Sequence, residues 1–301
     1  MGTSSIAQQA DSRTDVANDD FRARLHAMWA GVAGGWREYA KDVDARGSAV
    51  TERMLELSSL RPNDRVLELA CGPGSVGLAA AQRVGPAGEV VVSDVAAEMT
   101  AIARDRARAL GLANVTGRVL DLESIDEPDD TYDVVLCREG LMFATDPARG
   151  AREIARVLRI GGRAALAVWG PRERNPWLGV VFDAVSAELG RPVPPPGTPG
   201  PFSLADAARL AALLSDAGLS HVEVSEISVP LRAATFDEWW DRTCALAGPL
   251  TQILASLPAG SAERLRSRAR ESAQSYQTRN GLDFPGVTLL ASGRRDGRVH
   301  R

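Results

Sequence analysis

Lysine is almost missing from this sequence: Lys41 is the only one in 301 residues, so nearly all the cationic charge is arginine. With alanine and 28 glycines abundant, the skew reads as genomic base composition rather than function. Positive charge in excess is missing too. The formal net charge is -4 and the pI about 5.6, which argues against a nucleic-acid surface, since that needs clustered cations. Cysteine is scarce: Cys71, Cys137 and Cys244 are odd in number, far apart and in no CxxC pattern. That gives neither a disulfide framework nor a metal site, and it suits a reducing, cytoplasmic setting. No apolar run reaches membrane-spanning length, and the first 20 residues lack the apolar core of a signal peptide. A hydrophobic content of 45% and a charged content of 25% are ordinary for a globular chain of one domain with insertions.

What is there centres on residues 65–77. Val66-Leu67-Glu68-Leu69 reads as a short buried parallel strand, Gly72, Gly74 and Gly77 crowd the turn after it, and a helix starts near Ser75. A strand running through glycines into a helix lets backbone approach a ligand, with the free N–H groups of the helix start aimed at it. Gly72-x-Gly74-x-x-Gly77 is literally the dinucleotide fingerprint, a weak signal alone. Glu68 bends it elsewhere. A carboxylate in a buried strand is costly unless a cation or several donors meet it, and a ligand with an ammonium group would serve. Asp94 closes the next strand, where a carboxylate can accept both hydroxyls of a ribose; capping the following turn is the plainer role.

Glu68-x-Ala70-Cys71-Gly72-x-Gly74 resembles motif I of the class I S-adenosylmethionine (SAM)-dependent methyltransferases, with Ala70 in place of the first glycine. The resemblance covers residues 61–170 well. Outside them it is to the small-molecule methyltransferases of the ubiquinone/menaquinone-biosynthesis type. It implies SAM as cofactor, bound by Glu68, Ala70, Gly72, Gly74, Asp94, Val95 and Met99. It further implies that Asp121 accepts from the adenine amino group, that Leu122 packs on the ring, and that Cys137 and Arg138 face the methyl being transferred. The [Asn/Asp]-Pro-Pro-aromatic motif of adenine and glutamine-amide methylation is absent, which disfavours nucleic-acid and protein-amide substrates.

The chain then divides into a disordered tail (1–18), a helical N-terminal cap (19–60), a SAM-binding core (61–170) and a C-terminal half (171–301) with lid insertions at 171–202 and 235–278. The cap shows helical spacing from Phe21, a break at Gly34-Gly35 and a second helix from Ala45. By the resemblance the cap lies over the cofactor. Trp36 would then present its face to the sulfonium, though core packing serves it equally. Strands are expected near 65–70, 89–93, 115–120, 132–137 and 163–169, with helices near 75–84, 96–110 and 147–158, the last ended by Gly161. Ser203 is expected to open a later helix, residues 221–231 to form the sixth strand and residues 286–293 the seventh. The alternation of strands and helices gives an α/β, doubly wound fold class, and the resemblance implies a seven-stranded, Rossmann-like methyltransferase sheet with its last strand antiparallel.

Methyl transfer from a sulfonium is an in-line displacement in which positioning supplies much of the rate, so the absence of an obvious catalytic cluster is no objection, although a base would help a hydroxyl nucleophile. His26 and Glu139 are candidates, and neither is named as catalytic. The expected acceptor is a small, largely apolar metabolite held under the lid, where Trp177, Trp239 and Trp240 offer wall material, though each serves equally as core. Homodimer formation stays open. Two other readings compete: an NAD(P)-linked oxidoreductase, which leaves Glu68 unexplained, and a methyltransferase-fold protein that holds SAM without methylating.

Overall fold

The computed structural model describes residues 23–258 and 260–297, so the expected tail at 1–18 and the helical position Phe21 lie outside the described residues. Helix α1 spans 23–38 and α2 Ala40–Leu57. The core follows as β1 Arg65–Leu69, α3 Ser75–Val84, β2 Glu89–Asp94, α4 Ala97–Ala109, β3 Val115–Val119, β4 Tyr132–Arg138, α5 Pro147–Val157 and β5 Leu158–Trp169. Next come α6 Pro176–Leu189, α7 Ala207–Asp216, β6 Ser220–Ser228, β7 Leu231–Ala233, α8 Phe236–Leu246, α9 Gly248–Ser256 and α10 Ser261–Ala273. β8 Gln277–Thr278, β9 Gly281–Phe284 and β10 Val287–Arg294 complete the chain.

Seven strands make one sheet in the order β3-β2-β1-β4-β5-β10-β6, with β10 antiparallel to both its neighbours. The chain winds outward from β1 to β3 and then returns to β4. The order therefore reverses between β1 and β4, where a doubly wound sheet opens its ligand crevice. Side-chain alternation along β1 decides what faces what. Leu67 and Leu69 pack with Ile154 of α5 and Leu210 of α7 on one face, while Val66 packs with Val76 of α3 and Met54 of α2 on the other. Glu68 shares the face of Val66 and lies beneath α3. A third apolar cluster, outside the sheet, joins α6, α8, α10 and the small antiparallel sheet β7-β9-β8.

Several local expectations are corrected. Gly34 and Gly35 do not break the cap: α1 runs through them to residue 38, and the turn falls at Tyr39, so α2 begins at Ala40 rather than Ala45. Gly35 is there for a close crossing, since a Cβ would lie 2.3 Å from the Ala245 carbonyl oxygen near the end of α8. Gly161 does not end α5, which stops at Val157; it lies inside β5 at φ 83°, and its N–H bonds to Arg295 O at 2.7 Å. The cap of α7 is Asp206, whose carboxylate accepts from Arg209 N at 2.7 Å, while the Ser203 hydroxyl bonds to Met142 O instead. The sixth strand stops at Ser228, and Leu231 belongs to the second sheet. Among the described residues, no helix is long and apolar enough to cross a membrane.

Candidate functional site

The turn after β1 is held open by its backbone. Ala70, Gly72 and Gly74 all take positive φ, at 50°, 51° and 84°. Ala70 thus stands in a conformation that favours glycine, a strain on the order of 1 kcal/mol. Its methyl group also explains a glycine elsewhere: a Cβ on Gly140 would sit 2.4 Å from the Cβ of Ala70. The loop is stitched to β2 by Cys71 N donating to Ser93 O at 2.8 Å and the Ser93 hydroxyl donating to Glu68 O at 2.8 Å. The cap helix is clamped over it by Asp44 of α2, which pairs with Arg106 of α4 and accepts from the Ser75 hydroxyl.

Glu68 is buried, with 2% of its surface exposed. Its Oε1 accepts from Val76 N at 3.2 Å, whereas Oε2 is enclosed and has no hydrogen-bond partner. Burial pushes its pKa up to about 7, against the opposing pull of Arg138 and of the Gly77 and Val76 N–H groups. Gly77 is obligatory beside it, because a Cβ there would stand 2.4 Å from Oε2. Asp94 is also buried. Its Oδ2 accepts from Gly72 N at 2.9 Å and its Oδ1 from Ala96 N at 3.0 Å. Burial raises its pKa, and the N–H groups of Ala96, Gly72 and Val95 counter it. The capping role is thus present, and a carboxylate with two bonds made retains about two lone-pair sites for a ligand.

These residues converge on a cavity at the carboxyl ends of β1, β2 and β4. Its walls include Trp36, Glu68, Ala70, Gly72 and Asp94, and beyond them Val95, Met99, Asp121, Leu122 and Arg138. Two of the residues singled out from the sequence lie off that wall. Gly74 packs against α4, where a Cβ would meet Ala103 at 2.8 Å. Cys137 is fully buried in the sheet, its thiol pushed up to about 12 by that burial. Asp121 lies just past the end of β3, in an isolated bridge with Ser124. His26 also lines this wall, with Nε2 4.0 Å from Asp121 Oδ2.

A second cavity of about 360 Å³ adjoins the first, sharing Trp29, Trp36, Phe143, Arg138 and Glu139 with it. Glu139 holds φ 60°, an unfavourable conformation for a residue with a Cβ, at the junction. The inner walls are Trp169, Trp177 and Phe182 with Leu246 of α8, and Arg46 reaches in from α2. Trp169 and Trp177 meet edge to face at 4.8 Å. All three segments expected to form a lid contribute side chains. The three tryptophans do not share one role, however. Trp177 lines the cavity, whereas Trp239 is wholly enclosed, its indole N–H donating to Trp177 O at 3.1 Å, and Trp240 stacks on Phe236. Arg46 escaped sequence reading, because one more arginine on a helix carries no signal in an arginine-rich chain.

A Rossmann-like sheet with a buried acid at the end of β1, a second acid ending β2 and the crevice between β1 and β4 defines the methyltransferase class of fold. Comparison with known proteins agrees. Residues 66–162 match the family described as a methyltransferase domain. The chain is similar to the class I SAM-dependent methyltransferases, and among them to the ubiquinone/menaquinone-biosynthesis C-methyltransferases. It is 32% identical over 176 residues to the UbiE protein of Ectopseudomonas mendocina (strain ymp), covering 58% of this chain and 60% of that one. It is 39% identical over 153 residues to UbiE of Stenotrophomonas maltophilia (strain R551-3), covering 50% of this chain and 60% of the relative. The chain thus spans about three fifths of the length of these curated relatives. Among solved structures, the YcgJ protein of Bacillus subtilis superposes with a TM-score of 0.56 at 24% identity, over 82% of this chain and 98% of that one. The [4+2]-cyclase SpnF superposes with a TM-score of 0.51 at 21% identity, over 83% and 81%. These likenesses bear on the fold alone.

Proposed function

We propose that this protein transfers a methyl group from SAM to a small, substantially apolar metabolite. The observation that carries the reading is the buried Glu68 carboxylate, which makes no ion pair among the described residues, at the wall of a cavity that opens into an aromatic one. An ammonium group compensates such a carboxylate, and a dinucleotide has none to offer. Glu68 would hold the amino group of the methionine moiety. The Gly72 loop would let backbone approach it, Asp94 would accept from the ribose hydroxyls, and Asp121 and Leu122 would receive the adenine. SAM supplies an electrophilic methyl on a sulfonium. Trp36, whose ring lies 3.6 Å from where a Cβ of Gly72 would be, closes the outer cavity. The inner cavity holds an acceptor against Trp169, Trp177 and Phe182 and keeps bulk water away from it. The names of the similar UbiE proteins support a quinone-like acceptor methylated at carbon. Three free cysteines fit the cytoplasmic setting.

Titration calorimetry with SAM, S-adenosylhomocysteine and NADH tests the cofactor reading. Micromolar binding of the first two and none of NADH is expected; NADH bound and SAM ignored would overturn it. Release of S-adenosylhomocysteine in a metabolite extract separates methyl transfer from a protein that holds SAM without methylating. Native mass spectrometry in the same series reads the oligomeric state.

A further inference from the structure

The inner cavity is electrostatically at odds with the protein around it. The chain carries a net charge of -4, yet this cavity is lined by Arg46, Arg138, Arg232 and Arg242 against Asp42 and Glu139. Two of the arginines are accounted for. Arg242 pairs with Asp42 and Glu238, each at 3.4 Å, and Arg232 pairs with Asp283 at 3.1 Å. Arg138 donates to the Thr51 hydroxyl at 2.9 Å and has no carboxylate within ion-pair distance among the described residues. Arg46 is the outlier. Its Nε is enclosed without a hydrogen-bond partner, and among the described residues its guanidinium makes no ion pair. Burial pulls its pKa down to about 10, with Arg242 and Arg138 pulling the same way and Glu139 opposing. A half-buried cation with an enclosed, unpartnered N–H and no ion pair is costly, so the arrangement is incomplete until an anion enters.

The surroundings say what shape of anion. The Arg46 guanidinium lies over the face of Trp177, 4.0 Å from the ring centroid. A guanidinium that spends its face on a ring leaves the in-plane N–H fork for an acceptor, and that fork matches a planar carboxylate. Arg138 lines the same cavity and reaches α2 next to Arg46, since a Cβ on Gly47 would lie 2.5 Å from its guanidinium. The remaining walls are aromatic. We infer that the acceptor, on the reading that this is a methyltransferase, is an aromatic or otherwise apolar molecule bearing a carboxylate, which Arg46 binds with Arg138 beside it. A neutral quinone ring would fill the aromatic part of the cavity and leave Arg46 uncompensated. The carboxylate fixes the far end of the acceptor in the inner cavity, so that its reacting atom is turned toward the junction at Glu139.

The probes are 1-hydroxy-2-naphthoic acid, its methyl ester and 1-naphthyl phosphate, titrated against the full chain by quenching of tryptophan fluorescence, because Trp169 and Trp177 line the cavity. The acid is expected to bind at least tenfold more tightly than the ester. In Arg46→Met that preference should vanish while S-adenosylhomocysteine binding, which serves as the folding control, persists; Arg46→Lys should restore part of it. Equal binding of acid and ester, no binding of the acid, or a preference unchanged in Arg46→Met overturns the inference. A preference for the phosphate over the acid overturns the assignment to a carboxylate. S-adenosylhomocysteine bound with acid and ester alike would leave the methyltransferase reading standing and remove only this one. The reverse result would remove the cofactor reading and keep the anion site.

Discussion

The two cavities are built by opposite strategies, although they share Trp29, Trp36, Phe143, Arg138 and Glu139. The polar base of the outer one is local, although α1 and the ends of β3 and β4 complete its wall. Glu68, Ala70, Gly72 and the start of α3 come from a single strand-turn-helix, and Asp94 ends the adjacent strand. Its polar groups point at fixed places and are held by backbone, with Asp94 bonding both Gly72 N and Ala96 N. The inner one is assembled from α2, the ends of β4 and β5, α6, the 229–232 stretch and α8, and its walls are side chains rather than backbone. A site built from backbone and one turn can bind the same ligand while everything around it varies. A site built from side chains of distant helices can change ligand without disturbing the other.

That contrast can be broken from either side. The largest effect is expected from Trp239→Ala, which empties the middle of the cluster behind the inner cavity. A fully buried tryptophan truncated to alanine costs about 3–5 kcal/mol. Denaturant melts should show that loss, and calorimetry on the folded fraction should find SAM affinity retained. If SAM affinity falls in step with acceptor binding, the two cavities are one cooperative unit and the comparison fails.

The next is pH. The folded state raises the Glu68 pKa to about 7, so between its unfolded value of 4.5 and 7 the folded state holds a proton that the unfolded chain has released. Stability of the ligand-free protein should therefore fall by about 3 kcal/mol as pH rises across that window, and then level off. Glu68→Gln should flatten that portion of the profile. SAM should flatten it too, with proton release on binding that is visible as a buffer-dependent heat. A ligand-free profile unchanged by Glu68→Gln would locate the titrating group elsewhere.

The smallest is Asp94→Asn, which keeps an oxygen for the loop and loses the charge. A weakening of SAM binding by roughly 1.5–3 kcal/mol, about 10- to 150-fold, is expected, with acceptor-probe affinity unchanged. Unchanged SAM affinity in a folded variant would leave Asp94 with the capping role alone and sharpen the contrast to Glu68.

Much of the core was legible because its signals are short-range. A strand after Arg65, crowded glycines and a helix from Ser75 all lie within a dozen residues, and the strands and helices up to β4 fall within a few residues of their expected bounds. The misreadings came where a long-range contact decided. Gly35 looked like a helix break because the Ala245 carbonyl it accommodates lies far along the chain. Gly161 looked like a helix end because its hydrogen-bond partner, Arg295, is equally remote. Leu231 looked like a continuation of β6, but its pairing with Phe284 puts it in another sheet.

By itself the amino-acid sequence determined the class of fold, the glycine turn and the two acids that end β1 and β2, since strand alternation and backbone freedom are properties of neighbouring residues. Only the tertiary structure decided that one Glu68 oxygen is unpartnered, that Trp177 is wall while Trp239 is core, and that Arg46 lies over an indole with its Nε enclosed and unpartnered. Burial and pairing depend on what the rest of the chain brings to the spot, and no local pattern encodes that.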